Sequence, residues 1–435
     1  MSLEWESCKI GELGKIFSGG TPSTKIKEYW DGDLNWLSSG ETRNTYIYTT
    51  DKFITEKGAN NSSTKLANKG DIVIASAGQG FTRGQSSMVM IDTYVNQSVI
   101  VISPNDKVNN YYLLYNLKFR YPELRQLSDH ASTRGSLTTK IIKDLDIILP
   151  DLNTQNKIAT IIQYFDKKIE TNKKINRNLD YILDLLFKEN FIDKFNNDDT
   201  DWKIKKVGEL PLIITDYVAN GSFASLKENV SILDYEDYAY FIRNTDLKSK
   251  CFGKFVNKHS YDFLKKSSLF CNEIIISNVG DVGSVFLCPF LDKPMTLGNN
   301  MILVKSNNDA IYLNFYLFLL FRSNYGQYLI STITAGSVQS KFNKTEFKSL
   351  ELTMPDDELI IRFNEIVSPR FEYKNKISDE ITNLTKLRDT LLPKLMSGEI
   401  DVSKINYDLS FQKIRVISNL VMLFSKLLIN VYKYI

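Results

Sequence analysis

The chain has 435 residues, beyond the size at which one hydrophobic core keeps growing, so two or more domains are expected. Hydrophobic residues make up 43% and charged residues 24%, the composition of a folded globular chain and not of a disordered one. Lys plus Arg number 54 against 51 acids, a net charge of +3, which excludes a chain-wide basic surface and makes any basic patch local.

Cys8, Cys251, Cys271 and Cys288 show no CxxC spacing, and His130 and His259 are the only histidines, so reduced thiols are expected and a zinc site from neighbouring ligands is not. The opening MSLEWESCKIGEL carries acids and no apolar core of signal-peptide length, and the most apolar run, Ile311 to Phe321, is too short to cross a bilayer as a helix. A soluble cytoplasmic protein with no membrane partner is expected.

In chain order, Trp5 is followed by KIGEL (Lys9 to Leu13), then by the SGGTP segment Ser18 to Pro22. Short β-branched runs at Ile72 to Ser76 and Ser98 to Ile102 read as strands among loops rich in Gly, Ser, Thr and Asn, and YYLLYNL at Tyr111 to Leu117 reads as an apolar helix. DLDIILPD (Asp144 to Asp151) closes the stretch with a strand ended by Pro-Asp, and a glycine-free helical stretch follows. The same landmarks then return in order. Trp202 with KVGEL (Lys206 to Leu210) lies 197 residues on, NEIIISNVG (Asn272 to Gly280) matches GDIVIASAG (Gly70 to Gly78) at 202, FYLFLLF (Phe315 to Phe321) at 204, and SLELTMPD (Ser349 to Asp356) at 205. Slow drift of the offset is what loop insertions produce in a duplicated chain. Each copy reads as an α+β domain.

The two glycine-poor stretches carry heptad seams. Ile158, Phe165, Asn172, Leu179 and Leu186 recur every seven residues in the first, with Ile162, Ile169, Asn176 and Leu183 as the companion row. The second carries Phe363, Arg370, Ile377, Leu384 and Leu391 beside Val367, Lys374, Ile381 and Arg388, with a kink expected at Pro369. Pairing in repeat order would set polar layers against apolar ones, whereas antiparallel pairing would reshuffle them; an ordinary helical hairpin within one domain is the competing reading. About 30 helical residues span roughly 45 Å, or about 13 base pairs at roughly 3.4 Å each, a length suited to two separated half-sites.

Catalytic signatures are missing from the sequence. A base methylase needs an Asn/Asp-Pro-Pro-aromatic loop, yet none of the 10 prolines has a proline neighbour, and no GxxxxGK[ST] phosphate loop is present. Asn278 to Gly283 imitates a nucleotide loop but reads as a tight turn after a strand. Asp356 with Glu372 and Lys374 imitates a metal-dependent nuclease, but Lys374 falls on the helical seam and Lys167, the repeat partner of Glu372, is basic.

The SGGTP segment, the strand before each Pro-Asp, the NKIATII helix opening (Asn156 to Ile162) and LRDTLLPKLMSGEI at Leu387 to Ile400 together resemble the specificity (S) subunits of type I restriction-modification systems. The resemblance implies two similar target-recognition domains, 1–150 and 197–355, and two spacer helices, 151–196 and 356–400, packed as an antiparallel coiled coil. It implies double-stranded DNA as ligand, with two modification (methylase) subunits and two restriction (nuclease/translocase) subunits as partners. S-adenosylmethionine, ATP and magnesium would belong to those partners, leaving no catalysis and no cofactor in this chain. KVGELPLIITDYVANGSF in the second copy differs from KIGELGKIFSGGTPS in the first, so an asymmetric DNA target is expected. Residues 401–435 run past the family's usual end. Their apolar pattern (Val416, Leu420, Leu423, Leu427, Leu428, Val431) predicts an extra helix packing on the core or on a partner, with membrane-surface attachment the weaker reading because Lys413, Arg415, Lys426 and Lys433 are few.

Base reading requires Arg, Lys, Asn and Gln at groove edges, with Ser and Thr supporting on phosphates. Such residues gather at Gln79, Thr82, Arg83 and Gln85, and at Ser132, Thr133, Arg134, Ser136 and Lys140, in the first copy. In the second they are Asn278, Asp281 and Ser284, then Ser337, Gln339 and Lys341; Asn96, Gln97, Asn299 and Asn300 open a strand in each copy. Arg134 is the foremost candidate. From Lys157 to Arg177 the first helix holds six bases and two acids, a face that either touches DNA backbone or is simply solvated. The rival functions are a protein-interaction scaffold and a standalone nuclease built on the Glu372 cluster.

Overall fold

The run IVIA at Ile72–Ala75 is buried at every position, and its side chains divide by strand period into two layers. Ile72 and Ile74, with Ile100 and Ile102 opposite them, pack on Tyr112, Leu113 and Leu117 of the helix Asn110–Phe119. Val73, Val99 and Val101 point the other way, onto Leu37, Ala67 and Val95 of a second sheet. A central sheet thus lies between a helical layer and another sheet. At roughly 1.5 to 3 kcal/mol per buried aliphatic side chain, this two-sided burial selects continuous β-branched runs over alternating ones.

The computed structural model describes residues 5–78, 80–131, 135–195, 202–336 and 340–402; the expected helical tail from 403 onward lies outside them. Two compact units divide the chain: the described residues of Met1–Ile169 and Asn383–Ile435, and Glu170–Thr382. The central sheet of the first unit has the order Gly14–Ser18, Val99–Pro104, Ile72–Ala75, Ser86–Val89, Tyr46–Ile47, and that of the second runs Leu212–Asp216, Met301–Ser306, Ile274–Ser277, Val285–Leu287. Ile72 pairs with Ile102 and Ile74 with Ile100; Ile274 pairs with Val304 and Ile276 with Ile302. Every pair reappears 202 residues on, so the duplication read from sequence is a duplication of register. A two-stranded ladder closes each unit, Glu6–Lys9 with Asp146–Leu149 and Lys203–Lys206 with Glu351–Met354.

After each closing strand comes a long helix, Leu152–Asn190 of 39 residues and Asp357–Met396 of 40, longer than the expected thirty or so. Asp151 starts the first: it accepts hydrogen bonds from the Thr154 hydroxyl (2.7 Å) and amide (3.1 Å), which hold its carboxyl below the usual range. The two helices run antiparallel in the contacts of both units. In the first unit Arg388 pairs with Asp166 at 2.7 Å. In the second, Asn172 donates to Glu380 (2.9 Å), Asn176 to Ser378 (3.1 Å), and Lys374 pairs with Asp180. Partner numbers fall as the first helix's numbers rise. Antiparallel pairing therefore matches polar layer to polar layer, which removes the mismatch that repeat-order pairing would impose.

Of the expected first seam, Ile158, Ile162, Phe165, Ile169, Asn172, Asn176 and Leu183 are buried, whereas Leu179 and Leu186 are half-buried and Phe187, 1% exposed, takes the buried place after Leu183. The second corrects the heptad reading at one place: Phe371, 2% exposed, occupies the seam, while Arg370 turns its guanidinium back to the Ile366 carbonyl. The helix is unbroken through Pro369. A proline ring removes one amide donor and crowds the preceding turn, and the Arg370 side chain supplies a donor to that turn.

Candidate nucleic-acid interface

Three loops meet at one end of each central sheet because backbone hydrogen bonds tie them together. The first loop is the hairpin tip. Gly84 donates to the Ala75 carbonyl (2.8 Å) and Ala75 to that of Gln85 (3.0 Å); in the second unit Gly283 donates to Ser277 and Ser277 to Ser284, both at 2.9 Å. Gly84 (φ +86°) and Gly283 (φ +90°) take the left-handed conformation that the closing turn requires. The second loop joins through Leu137 donating to Ser76 (2.9 Å) and Phe342 to Asn278 (3.1 Å). Ser76 and Asn278 in turn donate to Ser98 (2.9 Å) and Asn300 (3.1 Å), which bring in the strand-opening turn. The same backbone knot thus forms in both units and carries different side chains.

The knot sorts the sequence candidates by exposure. Gln97, Lys140, Asn299, Asn300 and Lys341 are exposed, and Thr82, Gln85, Ser136, Asn278, Asp281 and Ser284 are half-buried. Gln79, Ser132, Thr133, Arg134, Ser337 and Gln339 lie outside the described residues. Arg83 and Asn96, each 9% exposed, are turned inward. The Arg83 guanidinium donates to the Gly135 carbonyl (2.9 Å) and pairs with Asp129, fastening the hairpin to the second loop, and the Asn96 side chain accepts from the Ser98 amide (3.0 Å). In the second unit the Gly280 amide makes the corresponding link to Ser340 (3.0 Å). Asn278 is engaged as well, donating to the Phe342 carbonyl (2.9 Å).

Asp281 anchors the tip of the second hairpin. The Lys248 ammonium (2.6 Å), helped by the Ser284 hydroxyl (2.7 Å) and Asn244 amide (3.2 Å), holds its carboxyl down to about 2. Asn244 and Lys248 carried no signal in the sequence, since they lie over thirty residues from the loop they brace. The SGGTP segment also joins this end in the first unit, where the Thr21 hydroxyl donates to Gln97. A Cβ on Gly19 would sit 1.9 Å from the Val95 carbonyl oxygen, so the close approach of that segment requires glycine. Phe81, on the first hairpin tip, escaped the sequence reading because that reading sought polar atoms.

The nuclease imitation does not assemble. Glu372 is solvent-exposed, and Lys374 is committed to Asp180 inside the helix pair. Among the described residues no group of three or more His, Cys, Asp or Glu side chains is placed to hold a metal ion, and no helix is long and apolar enough to cross a membrane.

Two copies of one sheet-and-loop module, each continued by a long helix of an antiparallel pair, define a tandem recognition protein. The family described as the type I restriction modification DNA specificity domain matches residues 2–181 and 199–383, and the chain belongs to it. The chain is 29% identical over 430 residues to the type I restriction enzyme MjaIX specificity subunit of Methanocaldococcus jannaschii, covering 92% of this chain and 95% of that one. It is 27% identical over 199 residues to the EcoR124I/EcoR124II specificity subunit of Escherichia coli, covering 42% and 48%. Among solved structures, the S subunit of a type I restriction-modification system from M. genitalium shares the fold with a TM-score of 0.57, at 16% identity, over 90% of this chain and 96% of that one.

Proposed function

We propose that this chain is the non-catalytic specificity subunit of a type I restriction-modification complex and reads an asymmetric, bipartite double-stranded DNA site. The observation that carries the reading is the repeated loop knot: one framework, hydrogen-bonded alike in both units, presents Thr82, Gln85, Gln97, Ser136 and Lys140 in one copy and Asn299, Asn300 and Lys341 in the other. Equal scaffolds with unequal donors and acceptors suit two different half-sites. The sequence places Arg134, Gln79, Ser132, Thr133, Ser337 and Gln339 on the same loops. Buried Arg83 and Asn96, and braced Asp281, support the loops from beneath.

The partners on this reading are two methylase and two restriction subunits, acting on cellular DNA in the cytoplasm. S-adenosylmethionine, ATP and magnesium act in those partners. Mapping methylated adenines genome-wide with and without this gene tests the proposal. Loss of a single bipartite, non-palindromic motif is the expected result, and an unchanged methylation pattern in a strain whose methylase is active would refute it. Tight, salt-sensitive binding to that duplex in the presence of the methylase excludes the scaffold alternative.

A further inference from the structure

Phe81 is 85% exposed, the most exposed large apolar side chain among the described residues. It stands on the hairpin tip of the first unit, where the two copies differ in length. Eight residues separate Ala75 from Gly84, and five separate the equivalent Ser277 from Gly283, while the hydrogen bonds that close the two hairpins correspond one to one. The first hairpin has therefore gained three residues at its tip, and Phe81 lies within that longer tip.

The extended tip is held from below. The Tyr121 hydroxyl donates to the Phe81 carbonyl (3.1 Å), Arg83 is fastened to Asp129 and to the Gly135 carbonyl (2.9 Å), and Gly80 takes φ +61°. This arrangement fixes the backbone and leaves the ring outside. No other exposed large apolar residue lies on the described parts of the three loops that meet here, where Gln97 and, just beyond them, Lys140 are exposed and Thr82, Gln85 and Ser136 are half-buried. A protein-docking surface gathers apolar residues into a patch. A lone aromatic ring on a fastened backbone among hydrogen-bonding side chains instead matches a wedge that enters a base step while its neighbours hold edges and phosphates.

Building on the proposed DNA reading, we infer that Phe81 inserts against a base step of the half-site read by the first unit, unstacking it, and that the second unit reads its half-site without such a wedge. The contact makes deformability of one step part of the specificity, independent of any hydrogen bond to its bases.

The test uses the full chain assembled with its methylase and the duplex identified by methylation mapping, carrying 2-aminopurine singly at positions other than the methylated bases. With the native chain, fluorescence at one step of the first half-site rises several-fold on binding and none rises in the second. Phe81→Ala abolishes the rise and weakens binding roughly tenfold, without lowering the unfolding midpoint, and Phe81→Trp restores both. Unchanged brightening and affinity in Phe81→Ala overturn the wedge while leaving the DNA-reading function intact. Weaker assembly with the methylase in the absence of DNA would assign Phe81 to a protein contact and overturn it equally. Failure of the native complex to prefer its own duplex over a scrambled one would instead remove the functional reading on which the wedge rests.

Discussion

Asp166→Ala probes the polar layer that ties the first unit's domain to both long helices. The Asp166 side chain is 6% exposed; it pairs with Arg388 at 2.7 Å and accepts the Tyr115 hydroxyl at 2.8 Å, and that hydroxyl also bonds the Tyr46 hydroxyl at 2.7 Å. Burial drives the Tyr115 ionisation far above its usual range, so the ring remains a donor. Removing one member of a buried pair costs about 3 to 5 kcal/mol. Here Asp389 remains beside Arg388 at 2.8 Å and the guanidinium is 23% exposed, which brings the electrostatic part to about 2 kcal/mol. The Tyr115 hydroxyl keeps Tyr46 as a partner, and the loss of its bond to Asp166 adds about 1 kcal/mol, for a total near 3. Urea unfolding followed by tryptophan fluorescence measures it, because Trp5, Trp30 and Trp36 lie in the first unit and Trp202 alone in the second. Asp166→Ala combined with Arg388→Met should recover at least half of the loss, since no unpaired charge then stays buried. A cost below about 1 kcal/mol, or a double variant as unstable as the two single losses added together, would refute this account of the layer.

Asn176 has a buried side-chain oxygen with no partner, and its amide reaches only Ser378, which separately donates to the Lys374 carbonyl at 2.9 Å. Asn176→Leu should therefore raise stability by about 1 kcal/mol in the same urea titration. Asp281 is held near 2 against an ordinary 3.8, so its contribution is complete above the ordinary value and is lost as pH falls through the lower one. The midpoint gap between the native chain and Asp281→Asn should be flat from about pH 8 to 5 and close between about pH 4 and 2. Arg134→Ala should relax base preference at one position of the first half-site, by about 1 to 3 kcal/mol if the partner is guanine, seen as a broadened methylation motif; an unchanged motif and affinity would remove Arg134 from the readers.

The sequence by itself determined the duplication, the α+β character of each copy and the two long helices. Each of those is a local or periodic property: β-branched runs buried on two faces, a seven-residue apolar rhythm, and landmarks returning in order at offsets near two hundred. Most of the seam of the first helix was legible for the same reason.

Direction and depth belonged to the tertiary structure. Arg370 and Phe371 are neighbours, and a one-residue difference in helical phase, set by packing against Phe315 and Phe318, decides which is buried. Arg83 and Gln97 look equally apt for reading bases, yet Asp129, forty-six positions away, draws the first inward while the second stays at the surface. A loop side chain points where hydrogen bonds from distant segments allow, and a one-dimensional pattern does not contain those bonds. For that reason the sequence located the candidate loops, and folding alone chose which of their side chains are exposed.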